Sequence, residues 1–235
     1  MVPSDRPIIL IPAHNEEATV GAIVALVRNL WNCPVVVIDD CSVDATASIA
    51  RAAGATVLPL ILQLGAWGAI QAGLRYALRK GYRAAVTLDA DGQHEPAYIG
   101  ELLEPLSAGR TDVAIGAFPE RASRARRIAW AYFRWLTGLR LEDITSGFRA
   151  YNHAAMTVLA SGEASLLDYQ DVGVLLILRR KGLRIVEVPV SMQPRALGPS
   201  RVFRSWWVVG KYMLQTSLLS LARVGHNPLP PAPDD

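Results

Sequence analysis

The sequence predicts an α/β protein with a mostly parallel sheet and helices on both faces. Two patterns carry the prediction. Short apolar segments of strand length alternate with segments of helical length through the first half of the 235-residue chain, as in strand–helix–strand units. Polar residues, acidic ones above all, gather where three of the apolar segments end, in "PAHNEE", "DDCSVDAT" and "DADGQH". In open sheets of this kind, ligands bind beyond the carboxyl ends of the strands.

The elements follow in order. "PIILIP" reads as a strand, after which Asn15 is expected to cap a helix carrying Glu16 and Glu17 in its first turn. "PVVVID" is the second strand, and "SVDATASIARAAG" a helix that ends at Gly54. Asp44 in that segment reads as a helix cap. "TVLPL" is a short strand, and "AWGAIQAGLRYALRKG" a helix ending at Gly81. "RAAVTL" is the fourth strand. "EPAYIGELLEPLSAG" opens with Pro96 at a favoured first-turn position, and "TDVAIG" closes the series. In the second half, "EDITSGFRAYN" reads as a polar loop, "VGVLLILRRKG" as a helix and "LRIVEVPV" as a strand. "SMQPRALGPSR" is a basic loop, residues 202–225 a long apolar helix, and residues 226–235 a Pro-rich tail expected to be disordered.

Composition bounds the function. The chain is 51% hydrophobic and 19% charged, with net charge +3, a pI near 9.0 and mean hydropathy +0.22. It is too apolar for a disordered chain. The mild basic excess suits an anionic substrate or a membrane surface and is no nucleic-acid signature. The N-terminus does not read as a signal peptide, because Asp5 precedes a short apolar run and acidic residues follow it. Cys33 and Cys41 flank a strand. At about 3.3 Å per strand residue they lie beyond the roughly 7 Å a disulfide tolerates. Both are read as reduced, buried thiols of a cytoplasmic protein. The first loop lacks G-x-G-x-x-G, which weakens a dinucleotide-binding reading.

The stretch "TLDADGQHEP" holds Asp89 and Asp91 around a turn at the end of a strand. Two carboxylates so close repel each other and raise each other's pKa. Turn formation alone accounts for Asp and Gly here. A divalent cation with an anionic ligand on its far side also makes the pair favourable. Three acidic loops on one edge favour the cation.

The ordered set "PAHNEE", "DDCSVDAT", "DADGQH", "TSGFRAYN" and "RIVEVPV" with "RALGPSR" resembles family 2 glycosyltransferases of the GT-A (Rossmann-like) fold. It is most similar to the branch of dolichol-phosphate mannose synthase and bacterial polyprenyl-phosphate sugar synthases. The resemblance spans roughly residues 7–201. It implies a GT-A domain over 1–201, with a nucleotide-binding half at about 7–118 and an acceptor half at about 119–201. It also implies a Mg²⁺ or Mn²⁺ ion held by Asp89, Asp91 and Gln93 against the diphosphate of a sugar nucleotide, a role that hard oxygen ligands suit. Pro12, His14 and Glu16 match positions lining the nucleotide, and Asp39 and Asp40 the pair that grips base and ribose. Ser146 and Arg149 match residues near the acceptor and leaving phosphates. Arg195 and Arg201 match a basic loop over the diphosphate, where Arg makes bidentate contacts. His94 reads as a hydrogen-bonded loop histidine.

The chain departs from the family pattern at three places. "QLGAWGA" stands where relatives read N-x-G-x-G-x-A, so Trp67 either narrows the pocket or packs under it. "IGAFPE" lacks a post-strand Arg, with Arg121 the nearest substitute. Gly173 stands where a glutamate is frequent, leaving Asp171 as the candidate base and Asp168 nearby.

"RARRIAWAYFRWLTGLR" mixes arginines, Arg126 and Arg127 among them, with Trp130, Tyr132 and Trp135, a composition that suits a bilayer interface. The helix over 202–225 is borderline for a span and is read as interfacial or as a contact between copies in a homo-oligomer. The function expected is metal-dependent, inverting transfer of a hexose from a nucleotide-diphosphate sugar to a polyprenyl phosphate at the cytoplasmic membrane face. The alternatives are transfer to a saccharide hydroxyl, or a catalytically silent nucleotide-sugar-binding scaffold.

Overall fold

The computed structural model describes residues 6–121, 141–166 and 172–193, with short stretches between 127 and 139. Asp168, Asp171, Arg195, Arg201, the apolar segment 202–225 and the tail lie outside the described residues, as does most of the basic aromatic segment.

Seven strands form one sheet: β1 Ile8–Ala13, β2 Val35–Asp39, β3 Thr56–Pro59, β4 Ala84–Thr87, β5 Val113–Ala117, β6 Arg149–Asn152 and β7 Ile185–Pro189. The order is β3-β2-β1-β4-β6-β5-β7. Every neighbouring pair is parallel except those of β6, which runs antiparallel to both β4 and β5. The main helices are α1 Val20–Leu30, α2 Thr46–Ala52, α3 Gly65–Arg79, α4 Ile99–Ser107, α5 His153–Leu159 and α6 Val172–Arg180.

Alternation within the apolar strands builds two cores. Ile8 and Leu10 face one side with α3, α5 and α6. Ile9 and Ile11 face the other with α1, α2 and α4. Both faces are covered, so β1 reads as a continuous apolar run rather than an alternating one. α1 buries Val20, Ile23, Val24 and Val27, the i, i+3, i+4, i+7 stripe of an amphipathic helix. α3 approaches β1 and β2 closely at Gly73, where a Cβ would fall 2.9 Å from Ile38 Cδ1. Helices end where glycine takes a left-handed turn, at Gly54 (φ 92°) and Gly81 (φ 81°). Pro96 opens a short 3-10 turn leading into α4.

Three expectations are corrected. The segment read as a polar loop contains β6, whose Arg149 pairs with Thr87 and whose Asn152 pairs with Ala84. Asn15 does not cap α1. It takes φ 55°, and the helix begins at Val20 after Thr19, so Glu16 and Glu17 lie in the turn before it. The cysteines are free, and half-buried rather than buried.

Candidate active site

β1 lies between β2 and β4. The connection from β1 runs to β2 on one side, while β4 lies on the other. This is the switch point at which open α/β sheets form a crevice. β1, β2 and β4 run parallel, so the loops after them leave the sheet at this one edge, as the three acidic motifs predict.

The loops after β1 and β2 are locked together. Asn15 N–H donates to Ser42 Oγ at 3.0 Å, and Asn15 Oδ1 accepts from Val43 N–H at 2.9 Å. Glu16 N–H donates to Thr46 Oγ1 at 2.8 Å. Asp44 accepts from Thr46 N–H at 3.0 Å through Oδ1 and from Glu17 N–H at 3.3 Å through Oδ2; it shapes the turn just ahead of α2, whose cap position is Ala45 and not Asp44 as expected. His14 Nδ1 lies 2.8 Å from Asp40 O. A carbonyl only accepts, so Nδ1 carries the proton. Pro12, His14 and Glu16 are all half-buried along this edge.

The acidic pair divides. Asp40 is 3% exposed. Its Oδ1 accepts from Leu64 N–H at 2.7 Å and its Oδ2 from Gly65 N–H at 2.8 Å. The carboxylate thus sits on the N-terminus of α3, where peptide N–H groups lack helical partners and the dipole favours negative charge. Asp39 accepts from Ser42 N–H through Oδ1 at 3.1 Å.

Beyond β4, Asp91 Oδ1 accepts from Gln93 N–H at 3.1 Å and shapes the turn. The Asp89 side chain is 43% exposed. His94 Nδ1 accepts from Asp89 N–H at 3.0 Å, and the ring stacks on Phe148 with centroids 5.2 Å apart. Gly147 fits against the Asp89 carboxylate, since a Cβ there would lie 2.9 Å from Oδ1. Thr87 Oγ1 donates to Gly147 O at 2.8 Å. The antiparallel course of β6 therefore starts its strand beside the acidic turn. Sequence reasoning left Gly147 out. A glycine next to a strand signals a close approach.

Among the described residues no group of three or more His, Cys, Asp or Glu side chains converges as a metal cage. Asp89, Asp91 and the Gln93 amide are a sparse set of hard oxygens. Such a set fits an ion that draws its other ligands from water and substrate phosphates, as Mg²⁺ and Mn²⁺ do, and not a closed zinc site.

Ser146 and Arg149 lie at the edge of this site, and both are fully buried. Arg149 donates through Nε to Ser146 O at 2.7 Å and through Nη2 to Ile144 O at 3.1 Å. Its Nη1 is buried without a hydrogen-bond partner among the described residues. Arg149 therefore staples the turn that carries Ser146 and Gly147. On β7, opposite Ile115 of β5, Glu187 accepts from Glu142 N–H at 2.8 Å and Asp143 N–H at 2.7 Å. Burial pushes its carboxyl up, the two backbone N–H groups oppose this, and the neighbouring Asp143 and Glu142 charges add to the rise.

Trp67 is buried in the core on the α3 side of the sheet. It is 2% exposed, and its Nε1–H donates to Ala164 O at 2.9 Å. Gln71 donates to Leu159 O at 2.8 Å and Arg75 to Ala160 O at 2.9 Å. This i, i+4, i+8 row ties α3 to the segment after α5. Gly173 is half-buried on α6.

A sheet with a switch point between β1 and β4, an acidic turn after β4 and an antiparallel β6 define a nucleotide-sugar-type glycosyltransferase fold. The chain belongs to glycosyl transferase family 2, whose model matches residues 8–159, and it is a glycosyltransferase. It is 31% identical to the polyprenol monophosphomannose synthase of Mycolicibacterium smegmatis, over 85% of this chain and 82% of that one. It is 32% identical to the undecaprenyl-phosphate mannosyltransferase of Micrococcus luteus, over 92% and 95%. Its fold matches the glucosyl-3-phosphoglycerate synthase of Mycobacterium tuberculosis, solved with Mn²⁺, UDP-glucose and phosphoglyceric acid. The TM-score is 0.70 at 24% identity, covering 97% of this chain and 82% of that one. The GT-A fold is thus as the sequence predicts.

Proposed function

We propose that the enzyme transfers a hexose, with inversion, from a nucleoside-diphosphate sugar to a polyprenyl phosphate at the cytoplasmic membrane face. The observation that carries this is the exit of the three acidic loops at one sheet edge, in a chain that aligns with lipid-phosphate mannosyltransferases over most of its length. Pro12, His14, Glu16 and Asp39 line the nucleotide. Asp40 holds α3 in place beneath it. Asp89, Asp91 and Gln93 hold Mg²⁺ or Mn²⁺ against the diphosphate. When bound, the ion supplies Lewis-acid neutralisation of charge on the departing nucleoside diphosphate. Arg195 and Arg201 close the phosphate side.

In the reaction the bond from the anomeric carbon to the β-phosphate oxygen breaks. A bond from that carbon to an oxygen of the lipid phosphate forms on the opposite face. A phosphate monoester, with a second pKa of about 6, is largely ionised at neutral pH and attacks without a general base. That suits a chain with Gly173 where a carboxylate is frequent, and it leaves Asp171 dispensable. Ser146 and Arg149 shape the floor under the acceptor phosphate through the turn they stabilise. The basic aromatic segment around Arg127 supplies contact with the lipid surface. No helix among the described residues is long and apolar enough to cross a membrane.

The test offers radiolabelled donor sugars with a polyprenyl phosphate and, separately, with saccharides. Label is expected in the lipid, in a Mn²⁺- or Mg²⁺-dependent manner, and Asp91→Asn should abolish it. Asp171→Asn should retain a substantial rate. Label confined to saccharide, and lost in Asp171→Asn, refutes the proposal.

A further inference from the structure

We infer that His94 is the positioning residue of the acidic pair, fixing both the backbone and the carboxylate of Asp89 for the ion. The inference rests on the metal reading above. Its side chain is 1% exposed, and Nε2 lies 3.8 Å from Asp89 Oδ2. The Asp89 backbone N–H can only donate, so the Nδ1 it reaches at 3.0 Å carries no proton. The single ring proton is then on Nε2, 3.8 Å from the carboxylate oxygen, which is too long for a direct hydrogen bond but close enough for electrostatic attraction. One imidazole therefore addresses the main chain and the side chain of the same residue.

Four further contacts hold the ring, its backbone and the carboxylate. Phe148 stacks on the imidazole. His94 forms a β-bridge with Met192, and Gln93 O accepts from Gln193 N–H at 2.9 Å. Gly147 lies against the other side of the carboxylate, where a Cβ would stand 2.9 Å from Oδ1 and would push the carboxylate aside. Asp89 thus has neighbours on two sides while its side chain stays 43% exposed.

The choice of residue follows from the chemistry. A neutral N–H orients a carboxylate without neutralising it, so the full negative charge stays available to a cation. A Lys or Arg in this place would compete with the ion for the same oxygens. Metal-binding carboxylates are ordinarily hydrogen-bonded in turn, and loss of such support typically lowers metal affinity about 10- to 100-fold.

The experiment measures Mn²⁺ affinity of the full chain by water-proton relaxation enhancement, without donor or acceptor, with folding checked by circular dichroism. His94→Phe keeps an aromatic ring for the stack but offers neither acceptor nor donor. His94→Asn loses the ring but places an amide oxygen near Nδ1, where it accepts Asp89 N–H. A positioning role predicts Mn²⁺ binding about tenfold or more weaker in the Phe variant and substantially restored in the Asn variant. A packing role predicts the reverse order. Gly147→Ala gives an arm that leaves His94 intact: its Cβ must displace the Asp89 carboxylate and should also weaken Mn²⁺. Phe binding as tightly as Asn, or Gly147→Ala binding as tightly as the parent, overturns the inference. Asp91→Asn is run alongside. If Asp91→Asn binds Mn²⁺ like the parent, the metal reading itself fails; if it alone loses binding, only the role of His94 is refuted.

Discussion

Replacing Asp40 by alanine removes two short bonds at once, those to Leu64 N–H at 2.7 Å and Gly65 N–H at 2.8 Å. Hydrogen bonds to a charged group contribute about 1.5–3 kcal/mol each. The carboxylate also meets the positive end of the 15-residue α3, worth about 0.3–1 kcal/mol. Water entering the space left by the side chain recovers part of this, so the expected loss is about 3 kcal/mol. That is a large share of the roughly 5–15 kcal/mol a domain has. With a urea slope of about 2–3 kcal/mol/M, the midpoint should fall by about 1 M. Asp40→Asn keeps one acceptor oxygen and should lose about half as much. Asp39 accepts from a single N–H, so Asp39→Asn should cost less than about 1 kcal/mol while weakening nucleotide binding. The assay is urea unfolding followed by tryptophan fluorescence, paired with calorimetric nucleotide titration. An Asp40→Ala midpoint within about 0.2 M of the parent, with nucleotide affinity lost, would refute the division of labour between the two aspartates.

Two further outcomes test the frame around the site. Trp67→Phe should fold and lose about 1 kcal/mol in urea unfolding, because Ala164 O loses its buried donor. Asp112 joins β5, β6 and β7 through Arg184 N–H at 2.7 Å and the Asn152 amide at 2.8 Å. Partial burial pushes its carboxyl up, but the bonds from Arg184 and Asn152 and the Arg184 charge together hold it below the ordinary carboxylate range. A depressed carboxylate stabilises above its unfolded pKa, about 4, and loses that contribution as pH falls through the folded value. Asp112→Asn should therefore melt lower than the parent at pH 7, and thermal melts should converge as pH drops well below about 4.

The sequence made the parallel strands legible because Ile, Val and Leu dominate β1 and β2 and β5 has no polar side chain, as expected when both faces are covered. It also made the three acidic loops legible, because polar residues at strand ends have few other reasons to cluster. β6 was not legible. Its four residues begin with an arginine that looks solvent-bound, yet the guanidinium is buried against carbonyls of its own upstream turn. Nor was the start of α1, because Asn15, a familiar cap, bonds instead across to Val43. The two adjacent aspartates look equivalent in sequence. Only the arrival of α3 beside Asp40, 24 residues on, separates them.

The position of β6 bears on how this enzyme could be recombined with its relatives. A crossover near residue 118 would seem to exchange a sugar-donor module for an acceptor module. The incoming piece would have to thread its own strand into the middle of the host's sheet, bonding to Ala84–Thr87 on one flank and Val113–Ile115 on the other. A mismatch of one residue on either flank would turn every side chain of the strand to the wrong face. It would also carry Gly147 away from Asp89. An exchange that keeps residues 84–87, 113–115 and 147–152 from one parent leaves this seam intact.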